Sequence, residues 1–218
     1  VMGPNGAGKT TLLNCINGLT YIDHGSVLLD DQPIANRPAH RVAAAGVART
    51  FQLAEHFRTF RAVEFVMLGR LRSQVRSLAR CALMLPGVRR SEKAERARAT
   101  EMLSRFDLDG IAETALKDLP YGVQKRVDIA RALAAEPRLL LLDEPTSGVS
   151  SEERGDIVMA VATAKALGVT QLVIDHNVGF ITQTCSRALV MNYGRNIAIG
   201  TPREVLGAIE VREAYLGV

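Results

Sequence analysis

Gly3-Pro4-Asn5-Gly6-Ala7-Gly8-Lys9-Thr10 decides the fold. It follows G-x-x-x-x-G-K-[ST] at every position. The glycines let the backbone curl, so that successive N–H groups point inward at phosphate oxygens. A helix beginning near Lys9 turns its positive end toward the same place. Lys9 adds a full charge for the outer phosphates, and the Thr10 hydroxyl can ligate Mg²⁺. Such a loop hangs from the end of a strand and opens a helix. Val1-Met2 reads as the strand stub. Leu12, Leu13 and Ile16 recur at helical spacing, and Gly18 is the stop. We expect the sequence to be a piece of a longer chain whose upstream segment completes that first strand.

The second half of the site is Leu139-Leu140-Leu141-Leu142-Asp143-Glu144. Four aliphatics make a strand buried on both faces, as in a parallel sheet. Two carboxylates emerge at its C-terminal end, where ligands sit in open α/β sheets. Asp143 can hold Mg²⁺, directly or through water, and Glu144 is placed to polarise an attacking water. The phosphate loop and the acidic strand together imply hydrolysis of a nucleoside triphosphate.

Around these motifs, strands alternate with helices. Gly25 to Leu29 reads as a short strand, Asp30-Asp31-Gln32-Pro33 as a turn, and Asn36 as the cap of a short helix. Val47 to Phe51 and Leu172 to Ile174 are further strand candidates. From about Arg61 to Ala135 the pattern is helical. Ser91 is expected to open one helix, with Pro86-Gly87 as separator, and a second is expected over 123–135. Ser150-x-x-Glu153 and Thr201-x-x-Glu204 are capping boxes, and Asn192-Tyr193-Gly194-Arg195 turns a hairpin. The predicted fold is α/β: a P-loop NTPase with a mostly parallel sheet and an inserted helical subdomain. We expect one domain over 1–218, with a nucleotide-binding core at 1–56 and 136–218 and the helical subdomain at 57–135.

Composition excludes other classes. The three cysteines are odd in number and far apart, which excludes a disulfide framework and suits a reducing compartment. No apolar run approaches the roughly 20 residues that cross a bilayer, so a soluble intracellular protein is expected. Charge is uneven: between Arg58 and Arg105 twelve Lys/Arg face four Glu, while the rest of the chain is net acidic. That segment reads either as a solvated helical face or as a surface for anionic lipid, nucleic acid or protein.

Leu119-Pro120-Tyr121-Gly122-Val123-Gln124 opens a helix shortly before the acidic strand, and here the chain resembles the ATP-binding cassette family. Leu119, Gly122 and Gln124 match a variant of its signature motif. The resemblance implies that Gln52, after Thr50-Phe51, is the Q-loop glutamine, that Ser147 to Ser150 is the D-loop, and that His176 is the switch histidine. It covers essentially the whole chain. The implied cofactors are ATP and Mg²⁺. Nucleotide contacts fall on Gly3 to Thr11 (Gly3, Pro4, Asn5, Gly6, Ala7, Gly8, Lys9, Thr10, Thr11) and, across a dimer, on Gly122, Val123 and Gln124. Thr10, Gln52 and Asp143 would hold the metal, and Glu144, His176 and Gln52 would serve hydrolysis. An aromatic residue that stacks on adenine would lie upstream.

Two positions depart from the family pattern. The signature serine is Pro120, without a hydroxyl or N–H, and the D-loop ends in Ser150 where aspartate is usual. Altered coupling between the two sites of a dimer is therefore expected. The stretch Val47 to Gln52 and the tail Glu213-Ala214-Tyr215-Leu216-Gly217 look like the ATPase subunits of branched-chain amino acid uptake systems. The implied partners are a second ABC ATPase subunit, identical or a paralogue, and transmembrane permease subunits. An extracytoplasmic solute-binding protein follows indirectly, and no nucleic acid is implied. The implied location is peripheral, on the cytoplasmic face of the plasma (inner) membrane. Two alternatives stand beside this: a soluble non-transport cassette ATPase, and a weakly catalytic assembly subunit of a heteromeric transporter.

Overall fold

A computed structural model describes residues 1–51, 57–71 and 86–216. In chain order its main elements are α1 (Lys9–Ile16), β1 (Leu28–Leu29), β2 (Gln32–Pro33), α2 (Ala39–Ala44), β3 (Val47–Arg49), α3 (Ala62–Leu68), α4 (Pro86–Ser104), α5 (Tyr121–Ala134), β4 (Leu139–Asp143), α6 (Arg154–Ala166), β5 (Thr170–Ile174), α7 (Val178–Thr184), β6 (Ala188–Asn192), β7 (Arg195–Gly200), α8 (Pro202–Gly207) and α9 (Ile209–Leu216). They form two compact units. The first comprises Val1–Arg49, Arg138–Gly148 and Thr170–Val218, and the second Thr50–Pro137 and Val149–Val169.

The first unit holds a parallel sheet in the order β3-β4-β5. Val47 lies opposite Leu139, and Leu141 opposite Leu172. Leu140, Leu141 and Leu142 of the central strand have no exposure at all, as a strand covered on both faces requires. Leu13 and Ile16 of α1 pack with Val42, Val47, Leu141 and Ile174 in one apolar cluster. This packing carries the phosphate loop's helix on the sheet. Met2 bridges in parallel to Val190, so the strand stub is real and lies beside the β6–β7 hairpin.

The second unit is helical: α3, α4 and α5 pack on one another, and α6 packs on α5. Val63, Phe65 and Val66 of α3, Leu103 of α4, and Val127, Ala130 and Leu133 of α5 are buried. Residues 149–169 belong to this unit, where the sequence expectation had grouped them with the nucleotide-binding core. Contact with α5, which no sequence period reports, draws α6 there.

Several local expectations change. The helix expected to open at Ser91 begins earlier, at Pro86, and runs on to Ser104; proline suits a first helical position because its missing N–H would have no partner there. The helix expected just before Pro86-Gly87 lies outside the described residues. Asn36 does not cap α2. Its side chain accepts from Ile22 N–H at 2.8 Å and donates to Ile22 O at 2.9 Å, and Pro38 takes the N-cap position. Asp30 and Asp31 both have positive φ and turn the β1–β2 hairpin, so Gln32-Pro33 is strand. Both capping boxes form: Ser150 with Glu153, and Thr201 with Glu204.

Among the described residues, several arginines of the basic segment are paired with carboxylates. Arg61 and Arg96 pair with Glu113, Arg70 with Glu95 and Glu136, Arg98 with Glu95, and Arg105 with Glu101. Glu113 and Glu136 lie outside the segment in sequence, so the local charge count overstated its field.

Candidate nucleotide site

The loop 3–8 is shaped around Lys9. Its side chain folds back across the loop and Nζ donates to Gly3 O at 2.8 Å and Pro4 O at 2.9 Å. An ammonium has three donors, so this arrangement holds the charge over the loop with one donor to spare. Gly3 is required by its neighbour: a Cβ there would stand 2.1 Å from Met191 O. The β6–β7 turn closes the other side, with Gly194 N–H donating to Ala7 O at 3.0 Å. The first helical residues follow at once, and Lys9 itself is buried. An apolar helix stripe and a hairpin thus preform a nest of N–H groups.

The tips of β4 and β5 carry the acidic half. Asp143 lies opposite Ile174, and Glu144 N–H donates to Ile174 O at 2.8 Å. Glu144 itself adopts φ 47, in the left-handed region. A β-unbranched non-glycine residue held there is strained, and such strain persists only where neighbours fix it. Asp175, fully buried, is one of those neighbours: it accepts from Thr146 N–H at 3.0 Å, Thr146 Oγ1 at 2.7 Å and Asn177 N–H at 2.8 Å. One carboxylate therefore ties the segment after Glu144 to the loop that carries His176. His176 is exposed, its Nδ1 3.9 Å from Asp175 Oδ1, beyond hydrogen-bond reach.

Asp143 has a cationic partner. Arg49, at the end of β3, donates from one guanidinium nitrogen to Asp143 Oδ2 at 2.7 Å and from the other to Asn14 Oδ1 on α1 at 2.7 Å. Both ends of that ion pair are largely shielded. The phosphate loop's helix and the acidic strand are thereby joined through one fork.

In the second unit Pro120 occupies the N-cap of α5 and offers no side-chain cap. The first intrahelical bond runs from Gln124 N–H to Pro120 O, so the N–H groups of residues 121–123 point out of the helix end. Gln124 Nε2 donates to Leu119 O at 2.8 Å. A Cβ at Gly122 would meet Glu153 Oε1 at 2.8 Å, so only glycine lets the Glu153 carboxylate lie against this terminus.

Comparison with known proteins adds the decisive finding. The family model described as ABC transporter matches residues 1–147. The chain belongs to the ABC transporter family. The high-affinity branched-chain amino acid transport ATP-binding protein BraF of Pseudomonas aeruginosa is 34% identical over 218 residues, all of this chain and 86% of BraF. The lipopolysaccharide export system ATP-binding protein LptB of Haemophilus influenzae is 34% identical over 217 residues, 100% of this chain and 84% of LptB. Among solved structures, the ADP conformation of an ATP-binding cassette of an ABC transporter superposes with TM-score 0.86 at 29% identity, covering 100% of this chain and 86% of that one. This chain is an ATP-binding, ATP-hydrolysing subunit of that family.

In this ABC ATPase the first unit contains Gly3 to Thr11, Asp143, Glu144 and His176, and the second contains Gly122, Val123 and Gln124. Gln52 lies outside the described residues. The residue before it, Phe51, is anchored on α5: its N–H donates to Asp128 Oδ2 at 2.7 Å and its ring lies 3.9 Å from the Arg131 guanidinium. Asp128 and Arg131 are themselves paired at 2.7 Å and buried. Burial pushes the Asp128 carboxyl upward, opposed by Arg131, the Phe51 N–H and Lys125.

The sequence reading missed Arg49, Asn14, Thr146, Asp175, Asp128 and Arg131. The available signal was a charged residue inside an otherwise apolar strand or helix face, as at Arg49 and Asp175. Among the described residues no group of three or more His, Cys, Asp or Glu could hold a metal ion alone. A single carboxylate with a hydroxyl fits Mg²⁺, which keeps several waters and completes its shell with phosphate oxygens.

Proposed function

We propose that this subunit powers a membrane importer for branched-chain amino acids. What carries the reading is the Lys9-centred loop joined through Asn14 and Arg49 to Asp143, in a chain whose whole length matches 86% of BraF. In this reading the N–H groups of Gly6 to Thr11 and the Lys9 ammonium grip the triphosphate. Thr10, Asp143 and Gln52 would hold Mg²⁺, which when bound neutralises charge on the phosphates. Glu144 orients the attacking water, and His176 contacts the same water and the γ-phosphate. Gly122, Val123 and Gln124 present the α5 terminus to the nucleotide of a second cassette, identical or a paralogue. Transmembrane permease subunits follow the closing and parting of the two cassettes. Among the described residues no helix is long and apolar enough to cross a membrane; in this reading the subunit lies peripherally on the cytoplasmic face, held by its permease partners.

LptB supports a second reading, lipopolysaccharide export, at the same identity. Co-purification of the membrane partner followed by reconstitution in proteoliposomes separates the two. The first reading requires ATP-dependent uptake of labelled leucine, isoleucine or valine. Export of lipopolysaccharide without such uptake would favour the second. In the same complex Glu144→Gln is expected to abolish turnover while an ATP-bound dimer accumulates. Undiminished turnover would remove Glu144 from its role.

A further inference from the structure

We propose that Arg49 is the built-in counter-cation of this site. It keeps Asp143 compensated, so that a divalent cation is taken up with the nucleotide and not alone. The inference rests on the ATPase reading above.

Three observations carry it. First, Arg49 sits where charge matters: its guanidinium meets Asp143 Oδ2 at 2.7 Å at the tip of β4, with both side chains largely shielded from water. Shielding strengthens an ion pair's effect on its neighbours, because solvent screens it less. Second, the strand would not otherwise choose arginine. Arg49 lies opposite Leu141 in a parallel sheet whose central strand buries Leu140, Leu141 and Leu142 completely. A guanidinium on such a strand costs desolvation unless its donors are matched. Third, its donors are matched in a directed way. The second nitrogen meets Asn14 Oδ1 at 2.7 Å on the helix that follows the phosphate loop. The fork therefore holds the positive charge between the triphosphate's helix and the acidic strand.

The electrostatic consequence has two signs. A fixed positive charge beside Asp143 repels a free dication, which finds one carboxylate already compensated. The same charge favours an approaching triphosphate, which meets the carboxylates of Asp143 and Glu144 at the strand tip. Together these make the site take up the metal with the nucleotide in preference to the free metal.

The test uses the full chain with Arg49→Met and Arg49→Lys, each checked for an unchanged thermal melt. Binding of Mn²⁺ alone is read by electron paramagnetic resonance, and binding of ATP in EDTA by calorimetry. Arg49→Met is expected to bind nucleotide-free Mn²⁺ about tenfold more tightly than wild type and metal-free ATP about tenfold more weakly. Arg49→Lys, which keeps the charge and loses the fork, is expected to stay within about threefold of wild type in both. Unchanged Mn²⁺ and ATP affinities in Arg49→Met would overturn the proposal. So would equal changes in Met and Lys variants, which would make Arg49 a positioning residue acting by shape. Should the Met variant melt early, Asn14→Ala frees the guanidinium from α1, and the same two affinities are then expected to shift by less than in the Met variant; shifts as large would again favour shape. Wild-type protein that binds no Mg-ATP would sink the ATPase reading itself, a result distinct from all of these.

Discussion

Asp175 accepts both the N–H and the hydroxyl of Thr146, at 3.0 and 2.7 Å, from a position without solvent exposure. Thr146 is two residues beyond Glu144, and Asp175 immediately precedes His176. The two candidate groups for handling the attacking water therefore ride on loops pinned by one carboxylate. Asp175→Asn places an amide donor where two of three partners are N–H groups. A hydrogen bond to a buried charge is worth about 1.5–3 kcal/mol, and a loss of that size is expected in urea unfolding. Thr146→Val removes only the hydroxyl's bond to that carboxylate and should cost about 1.5 kcal/mol, the low end of the same range, because the Thr146 N–H bond remains. In both, kcat should fall more than ATP affinity, because Lys9 and its loop are untouched. A variant that is less stable yet keeps full kcat per folded molecule would make Asp175 structural only.

The pair Asp128–Arg131 fastens Phe51, and with it the segment leading to Gln52, to α5. Removing one partner of a buried pair strands the other charge, at about 3–5 kcal/mol. Asp128→Asn should approach that cost, and Asp128→Asn with Arg131→Met should recover most of it. Chemical denaturation of the four proteins of this cycle gives the coupling directly. Additive losses would mean that the two residues act separately.

Pro120 stands where a helix prefers serine. It caps α5 with backbone alone, and a serine there can accept an N–H from the next turn. Such a cap typically contributes about 1 kcal/mol. Pro120→Ser is therefore expected to raise the melting temperature by a few degrees and to strengthen ATP-driven dimerisation. Analytical ultracentrifugation with ATP and the Glu144→Gln background would read the second effect. A lower melting temperature with unchanged dimerisation would show that proline's fixed φ matters more than the missing cap.

The sequence alone determined the elements and the chemistry that depends on local order. A phosphate loop is built from consecutive residues, so Gly3 to Thr10 could be read without a fold. A strand buried on both faces is uniformly apolar, so Leu139 to Leu142 announced a parallel sheet and placed Asp143 and Glu144 at its tip. The helix start at Thr201 was equally legible, since caps are neighbour effects, whereas α5 begins at Tyr121, two residues before the expected Val123.

Only the tertiary structure decided what joins those pieces. Arg49 meets Asp143 across 94 positions of sequence, and Asp175 meets Thr146 across 29. Asp128 reaches Phe51 across 77. No period or motif encodes such pairings. They arise because the parallel sheet sets β3, β4 and β5 side by side and the helical unit sets α5 under the segment after β3. Asn36 failed as a cap for the same reason: a distant backbone, that of Ile22, offered its side chain two hydrogen bonds at once. Local rules specify what a residue can do, and long-range burial decides which partner it does it with.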